Sequence, residues 1–301
     1  MGELIAGIEG TPAGVRAALV LALMAAFLHA LFGALQKGRF DPWISRAAID
    51  ICAGLMAAPV ALFVVPWPEA HMWPVFAGMV VIHICYKVLQ AMTYQRGAFT
   101  VVYPVVRGSA PFFAVIGSGL LFGEHFNAGQ WAGLGVLLAG IFGLALYNLR
   151  TVTVDRETMV PALALACATG AFVALYTNYD AWGVRATRDP FTFIAWFFFL
   201  DSLFMPLYTL RRWRNFPSQD VVPLLKKSVL GAFVAYFSFG SIMMATRLGP
   251  VGKAAVLRET STVFAALIGW LVLGEKVGPR RTAFMALIAT GAVIVELAGG
   301  G

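Results

Sequence analysis

Ten ionisable side chains lie inside long apolar stretches of the sequence, and these are the residues with which the chain could do chemistry. A charge at the centre of a lipid bilayer costs about 2.5–3.5 kcal/mol on insertion scales, so each such residue needs a partner or a function. No metal-ligand spacing and no nucleophile–base motif accompanies them. The ten are His29, Asp50, His83, Lys87, Arg107, Asp180, Asp201, Lys253, Arg258 and Glu259.

Arg107 lies in a stretch that two prolines and a glycine are predicted to interrupt. Residues 102–111 read Val-Tyr-Pro-Val-Val-Arg-Gly-Ser-Ala-Pro, and a broken helix at membrane depth is tolerated where it lines a cavity. Tyr103 precedes Arg107 by four residues, so the two share a helix face. Two interpretations stay open: Arg107 and Tyr103 bind an anionic substrate group, or Arg107 forms an ion pair with Asp50 that joins two helices.

Arg258 and Glu259 present similar alternatives in the second half of the chain. Arg258 is a candidate to pair with Asp201, but a guanidinium has five donors and one carboxylate need not occupy them all. Arg258 is therefore also a candidate for substrate binding. Glu259 lies about 100° around a helix from Arg258, where it meets Lys253, Lys87, solvent or the substrate.

His83 and Lys87 are four residues apart and are candidates for a coupling proton or for substrate contact. A buried lysine can titrate near neutral pH, and histidine does so without help. The structural alternatives are a hydrogen bond from His83 to a backbone carbonyl and a Lys87 side chain that reaches the membrane surface. Asp180, about one turn from a loop, is either interfacial or functional, and His29 is a deeper candidate for coupling or helix pairing.

The composition requires that membrane-spanning helices position these side chains. Of 301 residues, 60% are hydrophobic and 12% charged, whereas a soluble domain has about 45–50% and about 25%. A soluble enzyme, a disordered protein and a disulfide-stapled secreted domain are excluded. The three cysteines form no CxxC pair, so neither a metal site nor a cofactor is predicted. The net charge of +7 fits basic loops beside membrane spans rather than nucleic-acid binding.

Ten apolar segments separated by short charged breaks are each long enough to cross a bilayer. A spanning helix takes about 20 residues, and these runs are too long and too uniformly apolar for barrel strands. We therefore predict an all-α integral membrane protein with ten transmembrane helices. The segments run over 15–36, 44–65, 72–95, 98–122, 129–149, 158–184, 190–210, 221–246, 249–273 and 280–298.

The two halves of the sequence match at an offset of 151 residues, which indicates duplication. Five spans per half place the second half upside down relative to the first, the inverted-repeat plan of many secondary transporters. We predict repeats over 1–150 and 151–301, with the substrate site between them near the midplane. The matches include Gly123-Glu124 with Gly274-Glu275, Arg107 with Arg258, Arg96 with Arg247, Gly140 with Gly291, and Asp50 with Asp201.

Each half closes with an apolar helix that ends in Gly-Glu, a short loop and a glycine-containing helix. This pattern resembles the EamA-type family of the drug/metabolite transporter superfamily, over residues from about 17 to 297. The resemblance implies a ten-helix transporter of small metabolites, often an exporter, in the bacterial inner (plasma) membrane. Family members usually have both termini inside the cell.

The distribution of basic residues favours the opposite orientation. Under the positive-inside rule, the breaks that follow the odd-numbered spans are cytoplasmic and both termini are outside. The other side holds only Arg16, Arg185, Arg188 and Arg247. The basic residues on the predicted cytoplasmic side are Lys37, Arg39, Arg46, Arg96, Arg150, Arg156, Arg211, Arg212, Arg214, Lys226, Lys227, Lys276, Arg280 and Arg281.

The sequence therefore predicts a secondary transporter that exports a small anionic or zwitterionic metabolite by alternating access, with proton coupling as an option. Its site is expected between the third, fourth, eighth and ninth spans. Its predicted partners are the metabolite and the lipid bilayer. The protein is expected to be a monomer or a homodimer. No GxxxxGK[ST] motif is present for ATP-driven transport. The alternatives are a lipophilic-cation exporter of the same fold, an intramembrane enzyme and a non-transporting receptor.

Overall fold

The computed structural model describes residues 2–36, 40–97, 99–151, 156–271 and 278–299, and within them it contains helices and no strands. A π-helical turn, Val60–Val64, extends the third helix. The helices are α1 Gly2–Ile8, α2 Pro12–Gln36, α3 Pro42–Pro59, α4 Met72–Arg96, α5 Phe99–Phe122, α6 Ala128–Thr151, α7 Arg156–Ala186, α8 Pro190–Asp201, α9 Phe204–Trp213, α10 Ser218–Leu248, α11 Val251–Arg258, α12 Ser261–Leu271 and α13 Pro279–Ala298.

The predicted ten-span, all-α fold is confirmed, since the described residues contain ten helical stretches long and apolar enough to cross a membrane. Successive spans run in opposite directions. We call the end of the bundle that carries residues 65–71, 123–127, 187–189 and 249–250 the packed end. The opposite end, where α3, α5 and α10 begin, is the cavity end.

Asp-Pro pairs start corresponding helices in the two halves. The Asp41 carboxylate accepts hydrogen bonds from the backbone N–H groups of Trp43 and Ile44, at 2.9 and 3.0 Å. The Asp189 carboxylate accepts one from Phe191 at 2.9 Å. Proline follows each aspartate at the first helical position, where its missing N–H costs nothing. These caps fix where α3 and α8 begin.

Two of the ten spans are divided by a turn. Ser202 follows α8, and its hydroxyl donates to the carbonyl of Phe199 at 2.7 Å. Thr260 follows α11, and its hydroxyl donates to Leu257 at the same distance. Such side-chain bonds compete with the helical ladder. The spans of α8–α9 and α11–α12 each pass through a turn at these residues.

The expected interruption beside Arg107 is wrong. Helix α5 runs without a break from Phe99 to Phe122, with Pro104 and Pro111 inside it. Proline is tolerated in a transmembrane helix when neighbouring groups satisfy the carbonyls that it leaves free. The break lies instead at the repeat-related position, directly after Arg258, where the first half has a continuous helix.

Small residues let α6 and α13 pack with their backbones in contact. A Cβ atom added to Gly133 would lie 2.8 Å from the backbone nitrogen of Val295. One added to Gly291 would lie 2.5 Å from the backbone nitrogen of Leu137. Glycine permits this approach, as in small-residue motifs of other membrane helices. The contact joins the last helix of one half to the last helix of the other.

Candidate functional site

A cavity of about 590 Å³ lies between the two halves and extends from the middle of the bundle toward the cavity end. Residues from α2, α3, α4, α5, α7, α8, α10 and α12 line it, which is a wider set than the four spans predicted. Seven arginine, lysine, aspartate and histidine side chains reach its surface, together with a group of tyrosine and phenylalanine rings. They are Arg46, Asp50, His83, Lys87, Arg107, Asp201 and His29, with Tyr86, Tyr94, Tyr103, Tyr176, Phe32, Phe197, Phe198 and Phe239.

Lys87 joins two aspartates from different helices at the cavity wall. Its Nζ lies 3.2 Å from Oδ2 of Asp50 on α3 and 3.0 Å from Oδ1 of Asp201 at the end of α8. It also donates to the backbone carbonyl of Asp201 at 3.0 Å. Arg46, one turn before Asp50, lies 3.0 Å from the other oxygen of that carboxylate. Lys87 is buried, so the alternative in which its side chain reaches the membrane surface is wrong.

His83 continues this set of contacts to α7. Its Nε2 lies 3.0 Å from Oδ2 of Asp180, and its Nδ1 lies 3.9 Å from Oδ1 of Asp201. The interpretations of His83 as bonded to a backbone carbonyl and of Asp180 as interfacial are both wrong, since both residues are buried and face each other. We call these six residues the acidic network: Arg46, Asp50, His83, Lys87, Asp180 and Asp201.

Arg107 is paired with Glu259, not with Asp50. The Arg107 Nε lies 2.9 Å from Oε2 of Glu259, an ion pair without the alignment of a hydrogen bond. Its Nη2 donates to the hydroxyl of Ser261 at 2.6 Å and to the carbonyl of Arg258 at 3.4 Å. Glu259 is fully buried, so among the described residues it pairs with Arg107 and not with Lys253, Lys87 or solvent, and it does not line the cavity. Arg107, Arg258 and Glu259 form what we call the arginine cluster.

Arg258 is not paired with Asp201, whose carboxylate Lys87 engages instead. The Arg258 Nη2 donates to the hydroxyl of Thr177 at 3.5 Å, and within the part of the chain described it forms no ion pair with a carboxylate. The guanidinium is buried and does not reach the cavity surface. Lys253, a further candidate partner for Glu259, pairs with Glu296 at 3.0 Å.

The two clusters carry opposite excess charges. With His83 neutral, the acidic network has two cations against three carboxylates, and the arginine cluster has two cations against one. No ion pair among the described residues joins the two clusters, although Arg258 and Asp180 are close enough to interact electrostatically. The formal charge excess is therefore negative around α3, α4, α7 and α8 and positive around α5 and α11, and the residues that supply it, Asp180 and Arg258, lie behind the cavity wall.

Each divided span provides a backbone carbonyl for a buried cation. The carbonyl of Asp201, the last residue of α8, accepts from Lys87, and the carbonyl of Arg258, the last residue of α11, accepts from Arg107. A turn within a span frees carbonyls that the helical ladder would otherwise occupy. The divided spans thus fix two of the cations that line the cavity, Lys87 and Arg107.

Comparison with known proteins assigns the chain to a family. The model of the EamA-like transporter family matches residues 16–146 and again residues 160–297. The chain belongs to the EamA-like transporter family. It is thus an integral membrane protein of a family of transporters, and the resemblance predicted from its Gly-Glu endings is confirmed.

Two individual proteins are similar to this EamA-family chain. A protein of Sinorhizobium fredii (strain NBRC 101917 / NGR234), described as uncharacterized protein y4nH, is 32% identical over 77 residues. That match covers 26% of this chain and 66% of the relative, just under two thirds of its length. A protein of known crystal structure has the same fold, with a TM-score of 0.74 and 18% identity over 93% of this chain and 98% of that one.

The Gly-Glu ending of the first EamA repeat closes the packed end. Gly123 has φ +67°, a left-handed conformation that ends α5 and that glycine adopts without strain. Glu124 then accepts hydrogen bonds from the first N–H groups of α11, those of Val251 at 2.7 Å and Gly252 at 3.0 Å. Arg185 lies 3.7 Å from the same carboxylate. Glu124 therefore closes the loop at the packed end as a hydrogen-bond acceptor.

The corresponding motif of the second repeat, Gly274-Glu275, lies outside the described residues, as do Lys37, Arg39 and Lys276.

At the packed end, aromatic and apolar side chains fill the space between α4 and α8, and the rings of Phe76 and Phe193 stack at 5.3 Å. Arg247 forms an ion pair with Glu9 across this end. The cavity is therefore closed toward the packed end.

Two further predicted site residues, His29 and Tyr103, line the cavity, and Arg46 belongs to the site although it was not predicted there. His29 lines the cavity with its ring against Phe239 at 6.2 Å, and it forms no ion pair with any described carboxylate. Tyr103 lines the cavity near the ring of Tyr94, at 6.5 Å. Arg46 was interpreted as a loop residue, but its spacing of four from Asp50 was the signal that it belongs to the site.

Proposed function

We propose that this EamA-family transporter exports a small zwitterionic metabolite, one that carries both a carboxylate and an ammonium group, by alternating access. The proposal rests on two charge clusters beside one cavity. The acidic network has an excess negative charge and the arginine cluster an excess positive charge. A zwitterion has no net charge but a large dipole, so it complements a site of that kind. An anion would be repelled by the acidic network, and a cation by the arginine cluster.

Arg107 is the proposed carboxylate-binding residue. Its Nε and Nη2 contact Glu259, Ser261 and the Arg258 carbonyl, and its Nη1 makes no hydrogen bond within the described chain. Because Arg107 lines the cavity, Nη1 can donate to a substrate carboxylate, in a charge-assisted hydrogen bond. Buried Arg258 adds a second positive charge behind Arg107, and Tyr103 completes this wall.

Asp50 and Asp201 are the proposed binding residues for the ammonium group. Both line the cavity, and both keep their carboxylates close to Lys87. The excess negative charge of the acidic network attracts one further cation to this wall. Lys87 holds the two carboxylates in place, and His83 approaches that of Asp201.

The rings between the two clusters favour a substrate with an apolar or aromatic side chain. Four tyrosines and four phenylalanines line a volume of about 590 Å³, within the range of about 300–1,000 Å³ that small-molecule sites occupy. Such a lining buries an apolar group while the two clusters engage its charged end.

The proposed direction is outward across the bacterial inner membrane, driven by a proton gradient. The cavity extends toward the end of the bundle where the basic loops predict the cytoplasm. A substrate would therefore load from the cytoplasm in the conformation described here. Opening of the packed end would release it on the other side.

A thermal-shift experiment with matched ligands tests the substrate class. The aromatic set is L-phenylalanine, 3-phenylpropanoate and 2-phenylethylamine, and the aliphatic set is L-leucine, 4-methylpentanoate and 3-methylbutylamine. A ligand that binds the native state raises the melting temperature by mass action. We expect a zwitterion to stabilise the protein most, an effect lost in Arg107→Gln and kept in the exposed-arginine control Arg211→Gln. Stabilisation by the amines alone would instead support a lipophilic-cation exporter.

A further inference from the structure

We infer that the His83–Asp180 pair is the proton-binding site of this transporter, and that its proton and the substrate's ammonium group exclude each other. The inference rests on the proposed function, because it explains how a zwitterion is exchanged for a proton. One proton would enter for each zwitterion that leaves. The position of the imidazole ring and the charges that face it support this inference.

The His83 ring lies between two carboxylates. Nε2 is 3.0 Å from Asp180 and Nδ1 is 3.9 Å from Asp201. Neutral imidazole has one N–H donor and one lone pair, so one ring nitrogen would direct a lone pair at a carboxylate. Only the imidazolium presents an N–H group to both carboxylates, in a hydrogen bond to Asp180 and in an ion-pair contact with Asp201 that is longer than a hydrogen bond. The geometry therefore leaves a place for one added proton on the ring.

The charges around His83 also require a proton when the substrate is absent. Both residues of the His83–Asp180 pair are buried, and Oδ1 of Asp180 has no hydrogen-bond partner among the described residues. A proton on the pair would neutralise the excess negative charge of the acidic network. The titratable and charged groups that face the pair are Arg46 and Asp50 on α3, Tyr86 and Lys87 on α4, Arg107 on α5, Tyr176 on α7, Asp201 on α8 and Arg258 on α11.

Asp201 couples the proton to the substrate. Its carboxylate already contacts Lys87 and approaches His83, and it lines the cavity where the ammonium group is proposed to bind. A substrate ammonium supplies the same positive charge as the proton on His83. When the ammonium binds, the N–H bond of the imidazolium breaks, the electron pair stays on nitrogen and the proton passes to water in the cavity.

Solid-supported membrane electrophysiology tests the proton site without any substrate. A pH jump between about pH 8 and pH 5.5, the range in which histidine titrates, should move charge in wild-type proteoliposomes. We expect the signal to be lost in His83→Gln and in Asp180→Asn, and to remain in His125→Gln, which changes an exposed histidine at the packed end. Retention in His83→Gln would overturn the inference, and so would loss in His125→Gln. Asp180→Asn keeps the shape of the side chain, so it tests the proton site even if the His83→Gln protein does not fold.

Proton release on binding tests the exclusion. We expect one proton to be released per L-phenylalanine or L-leucine bound in weak buffer, and affinity to fall about tenfold per pH unit once the pair is protonated. His83→Gln should bind without release and without this pH dependence. Proton uptake, or no exchange, would overturn the exclusion. If no zwitterion binds but the pH-jump signal depends on His83, the proposed substrate class fails while the proton site stands.

Discussion

Replacement of Lys87 by methionine should destabilise the protein strongly, because two buried carboxylates lose the cation between them. Methionine keeps the length and most of the apolar volume of lysine, so the change removes mainly the charge. The Lys87 side chain is 6% exposed and contacts Asp50 and Asp201 at 3.2 and 3.0 Å. Breaking a buried ion pair by removal of one partner costs about 3–5 kcal/mol, a fall in melting temperature on the order of 10 °C.

A second substitution in the Lys87→Met protein should restore stability to a different extent at each aspartate. Without Lys87, Asp50 still has Arg46 at 3.0 Å, whereas Asp201 keeps one cationic neighbour among the described residues, His83 at 3.9 Å. Asp201→Asn should therefore restore more stability to the Lys87→Met variant than Asp50→Asn does. The control is Arg212→Met, which removes an exposed ion pair with Asp41 and should cost about 1 kcal/mol or less.

Melting curves in detergent, read as a double-mutant cycle, measure these effects. Two results would refute the reasoning. The first is a Lys87→Met protein whose stability lies within about 1 kcal/mol of wild type, close to the cost of an exposed pair. The second is a rescue by Asp50→Asn that exceeds the rescue by Asp201→Asn.

Three further substitutions test other parts of the account. Glu259→Gln removes the anion of the arginine cluster, so 3-phenylpropanoate should bind on the order of tenfold more tightly, or about 1.4 kcal/mol; unchanged affinity in a calorimetric titration would contradict the charge argument. Glu124→Gln weakens the cap of α11 and should lower stability by about 1–2 kcal/mol, which a melting curve without a shift would disprove. Gly291→Ala puts a Cβ 2.5 Å from the backbone nitrogen of Leu137 and should cost about 1–3 kcal/mol. Gly278→Ala, where a Cβ meets nothing within 4 Å, is the control, and equal melting temperatures for the two variants would show that the α6–α13 contact is loose.

The spans and their inverted arrangement could be predicted because length, apolar composition and repeat offset each leave a local mark on the sequence. Asp41-Pro42 and Asp189-Pro190 likewise marked helix starts. The divided spans left a weaker mark. Proline in α5 suggested a helix break that does not occur. The two helix breaks that do occur lie at residues with hydroxyl side chains, Ser202 and Thr260.

The ion pairs could not be predicted correctly, because spacing along the chain gives the face of a helix but not the neighbour that the face meets. The repeat suggested that Arg107 pairs with Asp50, but Lys87 from α4 occupies the space beside Asp50. Glu259, predicted to meet a lysine, solvent or the substrate, faces Arg107 because the turn after α11 redirects it. Asp180 was counted as near a loop, yet α7 continues to Ala186 and buries it against α4.

Counterflow through the purified protein in sealed vesicles tests most directly whether the two charge clusters recognise a zwitterion. Proteoliposomes loaded with unlabelled L-phenylalanine or L-leucine should take up the labelled compound in a protein-dependent manner. Arg107→Gln should abolish the uptake, and Arg211→Gln should retain it. We expect the matched carboxylates and amines to compete at concentrations at least about tenfold higher than the zwitterion does. Uptake that is absent for both amino acids, or inhibited as well by an amine as by the zwitterion, would contradict the account.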